Sequence, residues 1–229
     1  MKPQLLTREM IEAGEIDAVV SRDAPAMRIL SDAERSESLR GTLAAKPRDD
    51  VWLFGYGSLI WNPTIRFAES RVARIAGWHR SFCLETPAGR GSVDHPGLVL
   101  GLDEGGECEG IAFGISGDVV ETDLAMLWKR EMLSGAYVPR WLDLRDRDGS
   151  RFACGITFTI DHDGENYAGR LARDLMIWRL ATAAGALGSS ADYLFQTCEG
   201  QQWHSRFRTG AHRSRGHRCS SRMGGVRCP

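Results

Sequence analysis

The sequence predicts an α+β fold, a small sheet or barrel with helices around it. Three observations lead there. Between residue 51 and about 115, short apolar runs alternate with glycine-rich turns, as short strands in a small sheet or barrel do. Glu121 to Leu133 places Leu124, Leu127, Trp128 and Glu131 at i, i+3, i+4 and i+7, one face of a helix. Finally, 229 residues with 42% hydrophobic content suffice for one domain with a substantial core, or one domain with an appendage.

Residues 1–50 read as a helical lead-in packed on that domain. Leu5, Met10, Ile11 and Ile16 are weakly amphipathic, and Pro25 interrupts them. Ser31-Asp32-Ala33-Glu34 fits a capping box, in which Ser31 and Glu34 satisfy each other's backbone amides. The helix it starts carries Leu39 and Leu43 and stops near Pro47. Val51 to Trp61 opens as a buried strand and breaks into Gly55-Tyr56-Gly57-Ser58. Two glycines around one tyrosine allow a sharp turn and close approach of backbone to a ligand, and its amides can form a concave anion site. The stretch is not a dinucleotide fingerprint, since Ile60 stands where the third glycine would fall. It is not a P-loop either, since no Gly-Lys-Ser/Thr follows.

Arg71 to Leu84 reads as a strand with a bulge or bend at Gly77, and Thr86 to Pro96 as a loop. Leu98 to Leu102 and Cys108 to Ile115 read as two strands joined by a turn at Asp103 to Gly106. In the helix that follows, Glu131 shares the apolar stripe. A carboxylate there is costly unless it is paired, for instance with Arg140, and burial should raise its pKa. Ser134-Gly135 ends that helix, with Gly135 at C′. Tyr137 to Arg145 and Arg151 to Ile160 form a hairpin about Asp148-Gly149. Leu171 to Ala186 is a helix with Leu175, Trp178 and Leu180 inward, and Ala191 to Cys198 begins another.

No run of about 18 apolar residues exists, and the first ten residues lack an apolar signal region, so a cytoplasmic protein without membrane attachment is expected. The six cysteines form no Cys-x-x-Cys and read as reduced thiols. His79, His95 and His162 are scattered, with no zinc-ligand spacing. Residues 199–229 hold seven arginines and one glutamate against a net charge of −1 for the chain. They read as an atypical basic tail, expected to be disordered. An arm for nucleic acid is the sharper alternative, but arginine runs more often only solvate a surface.

Two signals reinforce each other. Phe54-Gly55-Tyr56-Gly57-Ser58-Leu59-Ile60-Trp61, followed by Leu127-Trp128-Lys129-Arg130-Glu131-Met132, resembles the ChaC family of glutathione-specific γ-glutamylcyclotransferases. Gly77 to Cys83, Gly89-Arg90-Gly91 ahead of Pro96-Gly97-Leu98, Gly185 to Gly188 and Asp192-Tyr193-Leu194 agree in order and spacing, over roughly residues 5–198. The resemblance implies a compact mixed β-barrel with flanking helices and a catalytic domain over 51–198. It implies conversion of glutathione to 5-oxoproline and Cys-Gly, with no cofactor or metal. By residue it implies Glu131 as acid and base, and Phe54, Gly55, Tyr56, Gly57, Ser58 and Leu59 as the substrate loop, with Tyr137 nearby. The alternatives are a cyclotransferase for other γ-glutamyl peptides or amines and a non-catalytic regulator of cation transport. The resemblance departs at Gln201–Pro229, which lacks helical periodicity and reads like the product of a reading-frame change.

Overall fold

In the computed structural model, which describes residues 5–47 and 50–206, the chain runs α1 (Arg8–Glu12), α2 (Glu15–Asp23), α3 (Asp32–Ala44), β1 (Trp52–Gly55) and a 3-10 turn (Ser58–Ile60). It continues through β2 (Glu69–Thr86), β3 (Gly97–Gly114), α4 (Val120–Glu131), β4 (Tyr137–Arg145), β5 (Arg151–Ile160) and α5 (Arg173–Thr182). The two-residue strands β6 (Ala184–Gly185) and β7 (Gly188–Ser189) precede α6 (Ser190–Arg206). Strands β1 to β5 close into a barrel in the order β1-β3-β2-β4-β5. Four pairings are antiparallel, and the parallel pairing of β1 with β5, Trp52 beside Gly155 and Leu53 beside Ile156, closes the ring. The α+β barrel with flanking helices is therefore present. Among the described residues no helix is long and apolar enough to cross a membrane.

Closure follows from the length of β2 and β3. β3 does not stop at Asp103–Gly106, where the sequence suggests a turn, but passes through it as one strand of 18 residues. The glycines there form a bulge rather than a reversal. Ala76 faces Glu107 and Trp78 faces Glu104, which leaves Gly77 opposite Gly105-Gly106, all three at positive φ. Each long strand can thereby bend around the barrel without losing its partner.

The helices cover the barrel through α4. Leu124, Leu127 and Trp128 are buried, and with Leu53, Phe113, Ile156 and Phe158 they form the principal core. Ile11 and Ile16 of the N-terminal helices join that core. The Trp128 indole donates to Ser38 Oγ at 3.1 Å, tying α3 to α4. The capping box is complete: the Ser31 hydroxyl accepts from the Glu34 amide, and the Glu34 carboxylate accepts from the Ser31 amide. The Asp148-Gly149 hairpin turn also forms, with Gly149 at φ 90°.

Three local expectations change. α4 ends at Glu131 with Met132 as its C-cap, so Gly135 (φ 74°) turns the chain into β4 and is not the C′ residue. α5 ends at Thr182; Leu180 is buried as expected, Met176 and Arg179 are half-buried beside it, and Trp178 is 53% exposed and Leu175 38%. Arg179 misled the periodicity: it faces inward because it pairs with Glu85 on β2. α6 continues across the boundary expected after residue 198 as far as Arg206. Gly200 lets it pass close to the 3-10 turn, since a Cβ there would stand 3.0 Å from Ile60 Cγ2 and 3.2 Å from Trp61 Cβ. The rest of the expected tail, 207–229, lies outside the described residues.

Candidate active site

β1 enters the barrel and delivers the chain to a turn at Tyr56-Gly57. Ile60 and Trp61 donate to the carbonyls of Gly57 and Ser58 and close the 3-10 turn. The amides at the start of such a turn have no acceptor within it and face outward to whatever lies ahead. What lies ahead is a pocket lined by Tyr56, Gly57, Ser58, Leu59, Leu100, Glu131, Tyr137, Phe158 and Tyr193. Six different elements meet there: the β1 loop, β3, α4, β4, β5 and α6.

Glu131, the last residue of α4, is the only carboxylate among these lining residues. Its side chain is 13% exposed, and Oε1 is buried without a hydrogen-bond donor. Arg130 Nε lies 2.9 Å from that oxygen but off the hydrogen-bonding direction, so the contact is electrostatic. Burial pushes the Glu131 carboxyl above its ordinary value, and the Arg130 charge works against the rise. The partner is thus Arg130. Arg140, suggested by the sequence, instead donates to Thr159 Oγ1 at 3.1 Å and stands over the Trp78 ring.

Arg130 also ties the loop down. Its Nη1 donates to the Asn62 carbonyl at 2.6 Å and to Thr64 Oγ1 at 3.1 Å, and Nη2 donates to Ser58 Oγ at 2.8 Å. Thr64 sits at φ 54°, an uncommon left-handed position for a β-branched residue. One guanidinium therefore fixes both the glycine loop and the carboxylate opposite it.

Three phenols complete the wall. Tyr56 donates to the Phe158 carbonyl at 2.8 Å, Tyr137 donates to the Leu100 carbonyl at 3.2 Å, and Tyr193 accepts from the Leu100 amide at 3.3 Å. Burial pushes all three up, Tyr193 to about 12, so they are neutral around Glu131 at physiological pH. Gly57 is where it is because of Tyr193: a Cβ there would stand 2.6 Å from the phenol oxygen. Among the described residues no group of three His, Cys, Asp or Glu converges to hold a metal ion.

The structure brings Tyr56, Gly57, Ser58, Leu59, Glu131 and Tyr137 together at the pocket. Phe54 and Gly55 are not in its wall. Phe54 is fully buried inside the barrel, and Gly55 packs where a Cβ would meet Leu59 Cβ at 2.9 Å. They carry the loop rather than face the pocket. Leu100, Phe158 and Tyr193 are wall residues that the sequence did not mark as site residues. Tyr193 lay in a quoted segment, Asp192-Tyr193-Leu194, but helical spacing gives no sign that its hydroxyl reaches β3.

A family model described as ChaC-like protein matches residues 51–210. The chain is 43% identical over 166 residues to the glutathione-specific γ-glutamylcyclotransferase of Escherichia coli K12, covering 72% of this chain and 71% of that one. It is 31% identical over 163 residues to glutathione-specific γ-glutamylcyclotransferase 1 of Danio rerio, covering 67% and 83%. The fold is similar to the crystal structure of the glutathione-specific γ-glutamyl cyclotransferase from yeast, with a TM-score of 0.62 at 18% identity over 68% of this chain and 88% of that one.

Proposed function

This chain belongs to the ChaC-like protein family, and from that premise we propose that it is a glutathione-specific γ-glutamylcyclotransferase whose proton carrier is Glu131. The α-amine of the γ-glutamyl group attacks its own side-chain carbonyl and closes a five-membered lactam. The nucleophile is tethered to its target, so the protein's first task is to hold the substrate folded. The amides of Gly57, Ser58 and Leu59 receive the α-carboxylate, and this places the amine toward Glu131.

The α-amine carries a proton at neutral pH, with a pKa of about 7.7–8.0 in peptides. That proton passes to solvent as the substrate binds, and Glu131 accepts the second proton, which the nitrogen sheds as the carbon–nitrogen bond of the ring forms. The tetrahedral intermediate then collapses and the bond to the cysteinyl nitrogen breaks. Glu131 returns the proton to that nitrogen, so 5-oxoproline and Cys-Gly leave with no water consumed and the carboxylate regenerated. An exposed glutamate, pKa about 4.3, is a weak base for this work. The single observation that carries the reading is Glu131, a buried carboxylate whose Oε1 has no hydrogen-bond donor and which lines the same pocket as the glycine loop. Neutral phenols beside it add hydrogen-bonding capacity without adding charge.

The test is 5-oxoproline release from glutathione by the parent and by Glu131→Gln, at matched folding by circular dichroism. Release by the parent and a fall of about 10²–10⁴-fold in the variant, the usual range for a general acid–base group, supports the reaction and the residue. Equal release by both removes Glu131 from the chemistry. A folded parent that leaves glutathione intact but cyclises another γ-glutamyl amide shifts the substrate assignment.

A further inference from the structure

The pocket has two arginines near it, and they differ in what they have left to offer. Arg130 is fully engaged by Asn62, Thr64, Ser58 and Glu131. Arg90 is half-buried, yet its guanidinium makes one described hydrogen bond, from Nη1 to the Ser189 carbonyl at 3.3 Å. Among the described residues no carboxylate lies within ion-pairing distance of it. Asp192, the acidic residue nearest in sequence to Ser189, is taken up by the Ser189 amide and hydroxyl. The Arg90 guanidinium stands over the ring of Tyr193, 5.8 Å from its centroid, and the hydroxyl of that ring is in the pocket wall.

The backbone is built to hold Arg90 there. Its carbonyl accepts from Ser190 Oγ at 3.2 Å, and the Gly89 carbonyl accepts from the Leu187 amide at 2.8 Å. Gly185 packs so closely that a Cβ would lie 2.6 Å from the carbonyls on either side of Arg90. The Asp192 charge favours the Arg90 cation from a distance but does not pair with it, and a fixed, partly desolvated cation with no carboxylate in ion-pair contact is unfavourable unless an anion visits it.

Glutathione has two carboxylates, and the loop amides serve one. From the reacting carbon, the Cys-Gly half extends about 7 Å at 3.3–3.6 Å per residue. The guanidinium stands 5.8 Å from the centroid of the Tyr193 ring, itself a pocket-wall residue, so it lies within that order of reach. We propose that Arg90 binds the glycyl carboxylate of glutathione, and so selects a γ-glutamyl peptide that ends in a free carboxylate two residues past the bond that breaks. The inference rests on the glutathione reading above.

The experiment compares glutathione with its glycyl amide, which lacks only the terminal charge, as substrates for the parent, Arg90→Gln and Arg90→Lys. The parent favours glutathione in kcat/KM by about tenfold to hundredfold, the range for a hydrogen bond to a charged group. In Arg90→Gln that preference collapses toward unity, because the loss on glutathione exceeds the loss on the amide by the same factor. Arg90→Lys, which keeps the charge without the fork, retains an intermediate preference. A parent that treats the two substrates alike overturns the proposal without any variant, as does an equal loss on both in a folded Arg90→Gln. Should the parent cyclise neither, calorimetric binding of the two compounds decides. Tighter binding of glutathione than of the amide upholds Arg90 and leaves only the catalytic reading overturned. Equal or absent binding overturns this inference as well.

Discussion

Gly57→Ala tests whether the loop and α6 are held in register by one contact. The added Cβ would stand 2.6 Å from the Tyr193 phenol oxygen and 3.8 Å from Leu100 Cβ. Ordinary contact begins at 3.4 Å, so loop and phenol must part by about 0.8 Å, a shift of the kind overpacking forces. The phenol is not free to yield, because it accepts from the Leu100 amide at 3.3 Å and would lose that bond on moving. Overpacking costs about 1–3 kcal/mol, and misplacing a reacting group by about 1 Å can lower turnover roughly hundredfold. Urea unfolding and 5-oxoproline release should therefore show both losses in Gly57→Ala. The decisive arm is the double variant Gly57→Ala, Tyr193→Phe, in which the clashing oxygen is gone. Its stability loss should be smaller than the sum of the two single losses by about 0.5–3 kcal/mol, the coupling expected of residues in contact. Strictly additive losses would refute the reasoning, because they would mean that the methyl group and the hydroxyl never meet.

Glu131→Gln should raise stability near neutral pH while it lowers turnover by about 10²–10⁴-fold. Burial lifts the folded-state pKa of Glu131 above its unfolded value of about 4.3; between those values the folded chain holds the extra proton, so the parent loses stability as pH rises through that window. Urea midpoints at pH 4 and pH 8 should diverge in favour of the variant only at the higher pH. Arg130→Met removes the charge that opposes that rise and also frees Ser58, so the acid limb of the kcat/KM profile should move to higher pH, whereas Ser58→Ala should raise KM and leave the limb in place. Asp123, fully buried, should be a structural rather than a catalytic carboxylate. Burial alone would push it up, but hydrogen bonds from the Arg66 side chain and amide and from Arg8 outweigh burial and hold it low. Asp123→Ala should cost less than the about 3–5 kcal/mol of breaking a fully buried ion pair, because Arg66 is 57% exposed and water takes up part of its charge. The stabilisation the pair provides is present above the unfolded pKa of about 3.9 and is lost as pH falls through the lower folded value, so the urea midpoints of parent and variant should converge in acid.

What the sequence determined by itself was local in origin. A capping box needs only residues three apart, and Ser31 with Glu34 forms it. The stripe of Leu124, Leu127 and Trp128 puts Glu131 on a buried face because helical geometry allows nothing else. Gly55-Tyr56-Gly57 had to turn, since only glycine tolerates such close approach at both positions. Tertiary structure decided everything that required two distant segments to meet. Periodicity pointed to Leu175 and Trp178 as the inner face of α5, but Arg179 belongs there because Glu85 waits on β2, 94 residues away. The sequence suggested Arg140 as the partner of Glu131, but β4 directs it to Thr159 and Trp78 and leaves that place to Arg130. Tyr193 became part of the pocket only because α6 packs over the loop and brings its hydroxyl to an amide 93 residues earlier. The physical reason is common to all three. Side-chain periodicity specifies where an apolar stripe falls, whereas which face is buried and what group it meets there follow from how distant segments pack, a property of no single segment.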